Sequence, residues 1–353
     1  MSTAEQPPSI ESAIPPHLLD PARRPKHRPG TYTPPYPSFS ARFDQKVTAV
    51  VMAYLGVQAR DPSDPRLVGE LGALREALAR EDGPVSWDRA AYTDAEGYYT
   101  VISIAYWDDP AAFREWNRAH GEPWIAPGHP TEGLGFFLEL VLPSIERVET
   151  VFSAPERPEG VAGTAYGFSG TIEEHFYWGS ARDRLPAAQR DPLWADGDST
   201  LTETGPVRSV VLHRNACLIR SGQDITETGP TEREFYLAEV EPVLREGMDF
   251  LVAEGATIGC LDNRYMTVLD EADAPTDRTF GMSWWRELSA LEEWAASHPS
   301  HLRIYGAGMR HLSGFGGDTR LRLYHEVTVP SGAEQRFVYA GCHDRTGVLK
   351  AVR

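Results

Sequence analysis

The stretches Ala105–Trp116, "AYWDDPAAFREW", and Ser283–Trp294, "SWWRELSALEEW", repeat one pattern inside a chain of 353 residues. Each passes from an aromatic, strand-like segment through a polar break into residues with helical spacing. Trp107 and Trp116 stand nine positions apart, and so do Trp285 and Trp294. Tryptophans at such a strand-helix junction fill core, and no chemistry is assigned to these four. After each stretch comes an aromatic-rich strand carrying an acid, "GFFLELV" (135–141) and "RLYHEVTV" (322–329), which sets Glu139 opposite Glu326. The chain reads as an internal duplication.

Working outward in the first copy, "KVTAVVMAYLGVQ" (46–58) reads as a buried strand and "RLVGELGALREALAR" (66–80) as a helix, with an added hairpin strand over 85–91. "YYTVISIAYW" (98–107) is again a strand, Asp109-Pro110 opens a helix, and "LGFFLELVLPSIERVETVFS" (134–153) reads as one further strand. In the second copy the strands are "RNACLIRSGQ" (214–223), "RTFGMSWW" (278–285) and "TRLRLYHEVTV" (319–329). The helices are residues 233–255, ending at Gly255, and "ELSALEEWAASH" (287–298). This order predicts an α+β fold in which two ferredoxin-like units form a fused dimeric α+β barrel, helices outside, enclosing a space. The predicted segments are a proline-rich arm (1–40), a first repeat (41–155), a connector (156–204) and a second repeat (205–353). A connector of that length is a functional candidate. It carries His175, Arg182 and Arg184.

Composition removes several classes of function. With 51 acidic against 34 basic residues the formal charge is −17, which disfavours nucleic acid as a partner. No apolar run reaches the roughly 20 residues of a membrane span, and the N-terminus lacks a signal-peptide pattern, so the expected location is the cytoplasm. Cys217, Cys260 and Cys342 are few and widely spaced, against a disulfide framework, a structural zinc site or covalent haem attachment. The arm holds 10 of the 28 prolines and the basic stretch "ARRPKHRPG" (22–30), and reads as a solvated arm over the domain or a partner subunit.

Four of the 11 histidines, His298, His301, His311 and His325, fall within 28 residues. His298 and His301 have the i, i+3 spacing of two ligands on one helical face, but Pro299 between them opposes a regular helix there. A single neutral imidazole is enough to hold a haem iron. In "LRLYHEV" (321–327) alternation puts Leu321, Leu323 and His325 on one face and Arg322, Tyr324 and Glu326 on the other. His325 is then either a hydrogen-bonded core residue or a group tuned for acid-base work. Ser221 ends a strand, where serine is ordinarily a turn residue, and no G-x-S-x-G surrounds it.

"ESAIPPHL" (11–18), "TYTPPYP" (31–37), "VVMAYLGVQ" (50–58), "HFYWGSARDRLP" (175–186), "LIRSGQD" (218–224), "HPSHLRIY" (298–305) and "LRLYHEV" closely resemble the aldoxime dehydratases, in the same order. The resemblance implies a lyase that uses haem b with ferrous iron to convert an aldoxime, R-CH=N-OH, into a nitrile and water. It implies His301 as the proximal iron ligand, leaving His298 a neighbour, and His325 as the distal histidine, acting as acid and then base. Arg184, rather than Arg182, and Ser221 would orient the oxime oxygen. Glu149 would support His325 and favour its protonated form. A homodimer is also implied, while the glycine-rich loop around His311 has no role. The rival readings are a haem peroxidase or chlorite-dismutase-like enzyme, and a haem-binding module without activity.

Overall fold

In the computed structural model of the protein, which describes residues 10–126 and 133–352, twelve strands form one antiparallel sheet. In chain order they are Val51–Ala59 (β1), Ser86–Thr93 (β2), Tyr99–Trp107 (β3), Leu134–Val141 (β4), Val148–Phe152 (β5), Thr200–Thr204 (β6), Val207–Val211 (β7), Cys217–Asp224 (β8), Cys260–Leu269 (β9), Pro275–Trp285 (β10), Arg322–Thr328 (β11) and Gln335–Ala340 (β12). Across the sheet they run β5-β11-β8-β10-β9-β2-β3-β1-β4-β12-β7-β6. The quartets β4-β1-β3-β2 and β11-β8-β10-β9 share one internal order and meet where β9 pairs with β2. The strands that follow each quartet cross over. β5 pairs with β11 of the second quartet, and β12 pairs with β4 of the first.

Helices Pro65–Leu78 (α1) and Pro110–Trp116 (α2) serve the first quartet, and a short helix, Ser180–Arg184 (α3), lies in the connector. Pro230–Phe235 (α4), Glu241–Glu254 (α5), Leu288–Ser297 (α6) and Pro299–Phe315 (α7) serve the second quartet. The starts of α1 and α2 follow from local chemistry. Asp64 and Asp109 accept from the backbone N–H two residues on, and a proline occupies the first helical position, where no donor is needed. Between α4 and α5, Pro242 has no N–H to continue the ladder, and a π-helical turn over Tyr236–Val240 absorbs the break.

Alternation sorts each quartet's side chains into two environments. One face of both quartets converges on a shared core containing Tyr54, Ile104 and Tyr106 from the first, and Leu218, Phe280 and Trp284 from the second. The other face of the first quartet packs against α1 and α2 through Val51, Leu55, Leu74 and Phe113. In the second quartet that face packs against α5 and α6 through Leu244, Met248, Leu288 and Leu291. All four repeat tryptophans are buried in these outer layers, with ring centroids 5.2 Å apart for Trp107–Trp116 and 5.4 Å for Trp285–Trp294. The space expected between the sheets is filled: Tyr54, Tyr106, Phe137, Arg220 and Arg264 are all fully buried.

Several elements differ from the sequence reading. Residues 134–153 are two strands, because Pro143 ends the first and the chain then crosses to β11. The 85–91 segment is a full member of its quartet. β9 was hidden by its charges, Asp262 and Arg264, which are buried and paired with each other at 2.8 Å. The glycine-rich segment after His301 continues as α7 to Phe315. Among the described residues no helix is long and apolar enough to cross a membrane.

Candidate active site

Antiparallel register sets His325 on β11 directly opposite Ser221 on β8, and side chains so paired have Cβ atoms about 4.5–5.5 Å apart. On the other side of β11, Glu149 of β5 opposes Val327, so it shares the face of His325 one diagonal away. This is the helix-covered face, since Val327 packs in the cluster formed with α5 and α6. His325 is enclosed by the protein, yet its side chain keeps a large accessible surface. Both hold for a side chain that faces an internal space. Burial, then the charge of Arg184, then His301 depress its pKa to about 4. This favours the neutral imidazole.

Arg184 ends α3, a five-residue helix opened by Gly179 at φ +89°, where a side chain would strike His27. Its guanidinium grips Glu149 in bidentate fashion, Nε to Oε2 at 2.6 Å and Nη2 to Oε1 at 3.0 Å, with both residues buried. Nη1 donates to the Glu174 carbonyl at 2.8 Å. Burial pushes the Glu149 carboxyl upward and Arg184 opposes it. Glu149 therefore reaches Arg184 rather than His325. Arg182 is committed elsewhere, to Glu292 on α6 at 2.8 Å and the Pro192 carbonyl at 2.6 Å.

His301 lies in the first turn of α7, half-buried, its ring 4.7 Å from Trp294 and 6.1 Å from Trp178. Its Nδ1 is buried without a hydrogen-bond partner. Burial lowers its pKa, opposed by the Ala295 carbonyl, and this favours the neutral form that ligates metals. His298 is not on the same helical face. Pro299 starts the helix, and the His298 side chain caps it by accepting from the Ser300 N–H. His311 is fully buried and bonded to Glu232 at 3.0 Å. No cluster of three or more His, Cys, Asp or Glu among the described residues could hold a metal ion. A neutral imidazole with Nδ1 left unpaired among aromatic rings fits a cofactor that brings its own equatorial donors, as haem does.

Residues 53–348 match the family described as haem-containing dehydratase. Aliphatic aldoxime dehydratases of Rhodococcus erythropolis and Pseudomonas chlororaphis are 39% and 38% identical, each match covering 97% of this chain and 98% of the relative. The chain belongs to the haem-containing aldoxime dehydratases. A phenylacetaldoxime dehydratase of Bacillus sp. (strain OxB-1) is 29% identical over 92% of this chain and 94% of its own. The crystal structure of an aldoxime dehydratase in complex with butyraldoxime superposes with a TM-score of 0.92 at 37% identity, covering 99% of both chains. The dehydratase is thus a lyase with haem as its cofactor.

The proline-rich arm is part of how this dehydratase places Arg184. Its described residues lie over the domain, where the basic ones pair with the acidic connector. Lys26 pairs with Glu174 and Arg28 with Glu173, the latter at 3.0 Å. Asp183, next to Arg184, accepts from the His27 N–H at 2.8 Å, the Arg28 N–H at 3.2 Å and the Tyr177 hydroxyl at 2.8 Å. Asp183→Ala would leave these donors without their acceptor, at an expected cost on the order of 3 kcal/mol in urea denaturation. Activity should fall with it. The signal in the sequence was the match of "ARRPKHR" with "EEHFYWGSARD", opposite charges about 150 positions apart, which no local pattern connects.

Proposed function

We propose that the enzyme dehydrates aldoximes, R-CH=N-OH, to nitriles with release of water, on haem b held by His301 and kept ferrous. The observation that carries this reading is the pairing of His325 with Ser221 beside the Glu149–Arg184 ion pair, on the face where Ile304 of α7 packs in the cluster of Val327 and His301 is near enough to act on His325. Haem, which His301 would hold, would supply a ferrous iron that activates the oxime N–O bond. His325 carries the proton that turns the departing hydroxyl into water, and the neutral imidazole then takes the C–H proton. The cycle returns the proton it uses, so a histidine with a low pKa needs loading once and not at every turnover. Ser221 orients the hydroxyl oxygen from the facing strand. Arg184 is held by Glu149, and its charge, near enough to depress His325, polarises the same oxygen. Glu149 acts on the histidine through Arg184.

The two quartets fit a duplicated ferredoxin-like unit, each with strand order 4-1-3-2, fused into a dimeric α+β barrel with helices outside. In this reading residues 41–155 and 205–353 are the copies, 1–40 the arm, and 156–204 the connector that brings Arg184 to the second copy. The enzyme is taken as cytoplasmic from its sequence pattern, and as a homodimer as the resemblance implies. The purified protein, reduced with dithionite under nitrogen and given butyraldoxime, is expected to form butyronitrile, measured by gas chromatography. Peroxide-dependent dye oxidation as the main activity would favour a peroxidase, and a colourless protein that haemin does not reconstitute would remove the haem reading altogether.

A further inference from the structure

The distal pair has a counterpart on the reverse of the same two strands. Side chains alternate, so Arg220, before Ser221, and Glu326, after His325, are themselves directly opposed on the face turned to the shared core. A tyrosine joins them. Arg220 Nη1 donates to Tyr106 Oη at 3.0 Å, and Tyr106 Oη donates to Glu326 Oε1 at 2.8 Å. Arg220 Nη2 donates to Asp88 at 2.8 Å. The other Glu326 oxygen accepts from the Val161 N–H at 2.7 Å, next to Gly160, where φ is +60° and any side chain would collide with the carboxylate. Val161 lies in the connector that carries Arg184. One carboxylate therefore links the strand of His325 to the segment that delivers the arginine.

Burying an arginine, a tyrosine and a glutamate together stabilises less than apolar packing of the same volume, so such a network is better explained by specificity than by stability. Hydrophobic patterning does not specify everything here. A one-residue slip of β11 against β8 would turn apolar faces outward, but a two-residue slip would not. Only particular partners oppose the second kind of slip, or smaller displacements along the strand.

We infer that Tyr106 and Glu326 are positioning residues for the dehydration, fixing from behind the sheet the register of Ser221 against His325 and the origin of the connector that carries Arg184. The inference rests on the assignment of those three residues to the substrate side of the haem. The molecule contains its own control. Glu139 accepts from the Tyr339 hydroxyl at 2.7 Å and from Arg264 Nη1 at 3.0 Å, beside Gly347 at φ +53°. There Leu138 stands in the place of His325.

The test compares Tyr106→Phe with Tyr339→Phe in the haem-loaded full chain, since each removes one buried hydroxyl that donates to a buried glutamate. Both should lower the urea midpoint comparably. Only Tyr106→Phe should reduce kcat per haem, on the order of 10–100-fold for a displaced catalytic group, with KM changed less than about threefold. It should also shift or broaden the C–O stretch of the ferrous CO complex, which reports polar groups near the bound gas, while Tyr339→Phe leaves that band as in wild type. Equal kcat per haem in the two variants, or an unchanged C–O band in Tyr106→Phe, overturns the inference. If Tyr106→Phe does not fold, Glu326→Gln is used, and wild-type kcat in that variant overturns it equally. A wild-type chain that takes up no haem would instead overturn the site assignment, and this inference with it.

Discussion

His325→Ala is expected to keep its haem while kcat falls on the order of 10²–10⁴-fold, the range for removing a positioned acid-base group. The fold should tolerate the change, because the side chain keeps accessible surface and fills no packed core. Its backbone remains paired with Ser221 on one side and Val151 on the other. The Soret band of the ferrous protein should therefore match wild type in intensity per chain. Nitrile formation is followed by gas chromatography at saturating aldoxime, so that a change in KM is not mistaken for one in kcat. More than a tenth of wild-type kcat would remove His325 from the chemistry. The neighbouring groups offer no substitute acid, since Arg184 and Glu149 hold each other in a bidentate pair.

His301→Ala is expected to lose the haem itself. Its imidazole is neutral, half-buried and unpartnered at Nδ1, and alanine would leave a gap against Trp294 and Trp178 that an external base could fill. The Soret absorbance per chain should drop to a small fraction of wild type, while circular dichroism shows the helices intact. Added imidazole should restore part of the band. His298→Ala is the matching control: it removes a helix cap, worth about 1 kcal/mol, and a ring 4.5 Å from Phe250, and should leave the haem in place. Full haem content in His301→Ala would transfer the ligand role elsewhere.

Much of the second quartet was legible because its strands alternate and its helices carry apolar residues at helical spacing. The face of His325 could be read from "LRLYHEV" alone. What faced it could not, because the identity of a neighbouring strand is a long-range fact, and the expected cavity between sheets proved to be solid aromatic core. The pairing of Glu149 with Arg184 was out of reach for the same reason. So was β9, in which buried Asp262 and Arg264 break the apolar run that marks a central strand. His298 shows the opposite case. Pro299 opposed a helix that includes both histidines, and the structure shows a helix that begins at that proline and leaves His298 outside.

The crossing of β5 and β12 has a consequence during synthesis. When the first quartet has left the ribosome, β4 still lacks its neighbour, which is built from residues 335–340 almost at the end of the chain. An apolar edge must stay unpaired while some 200 further residues are translated, an interval on the order of ten seconds or more at ordinary elongation rates. Open edges of this kind are where chains join one another instead of themselves. Yield of the enzyme on overexpression should therefore depend on slow translation or chaperone capacity more than on the stability of the finished fold.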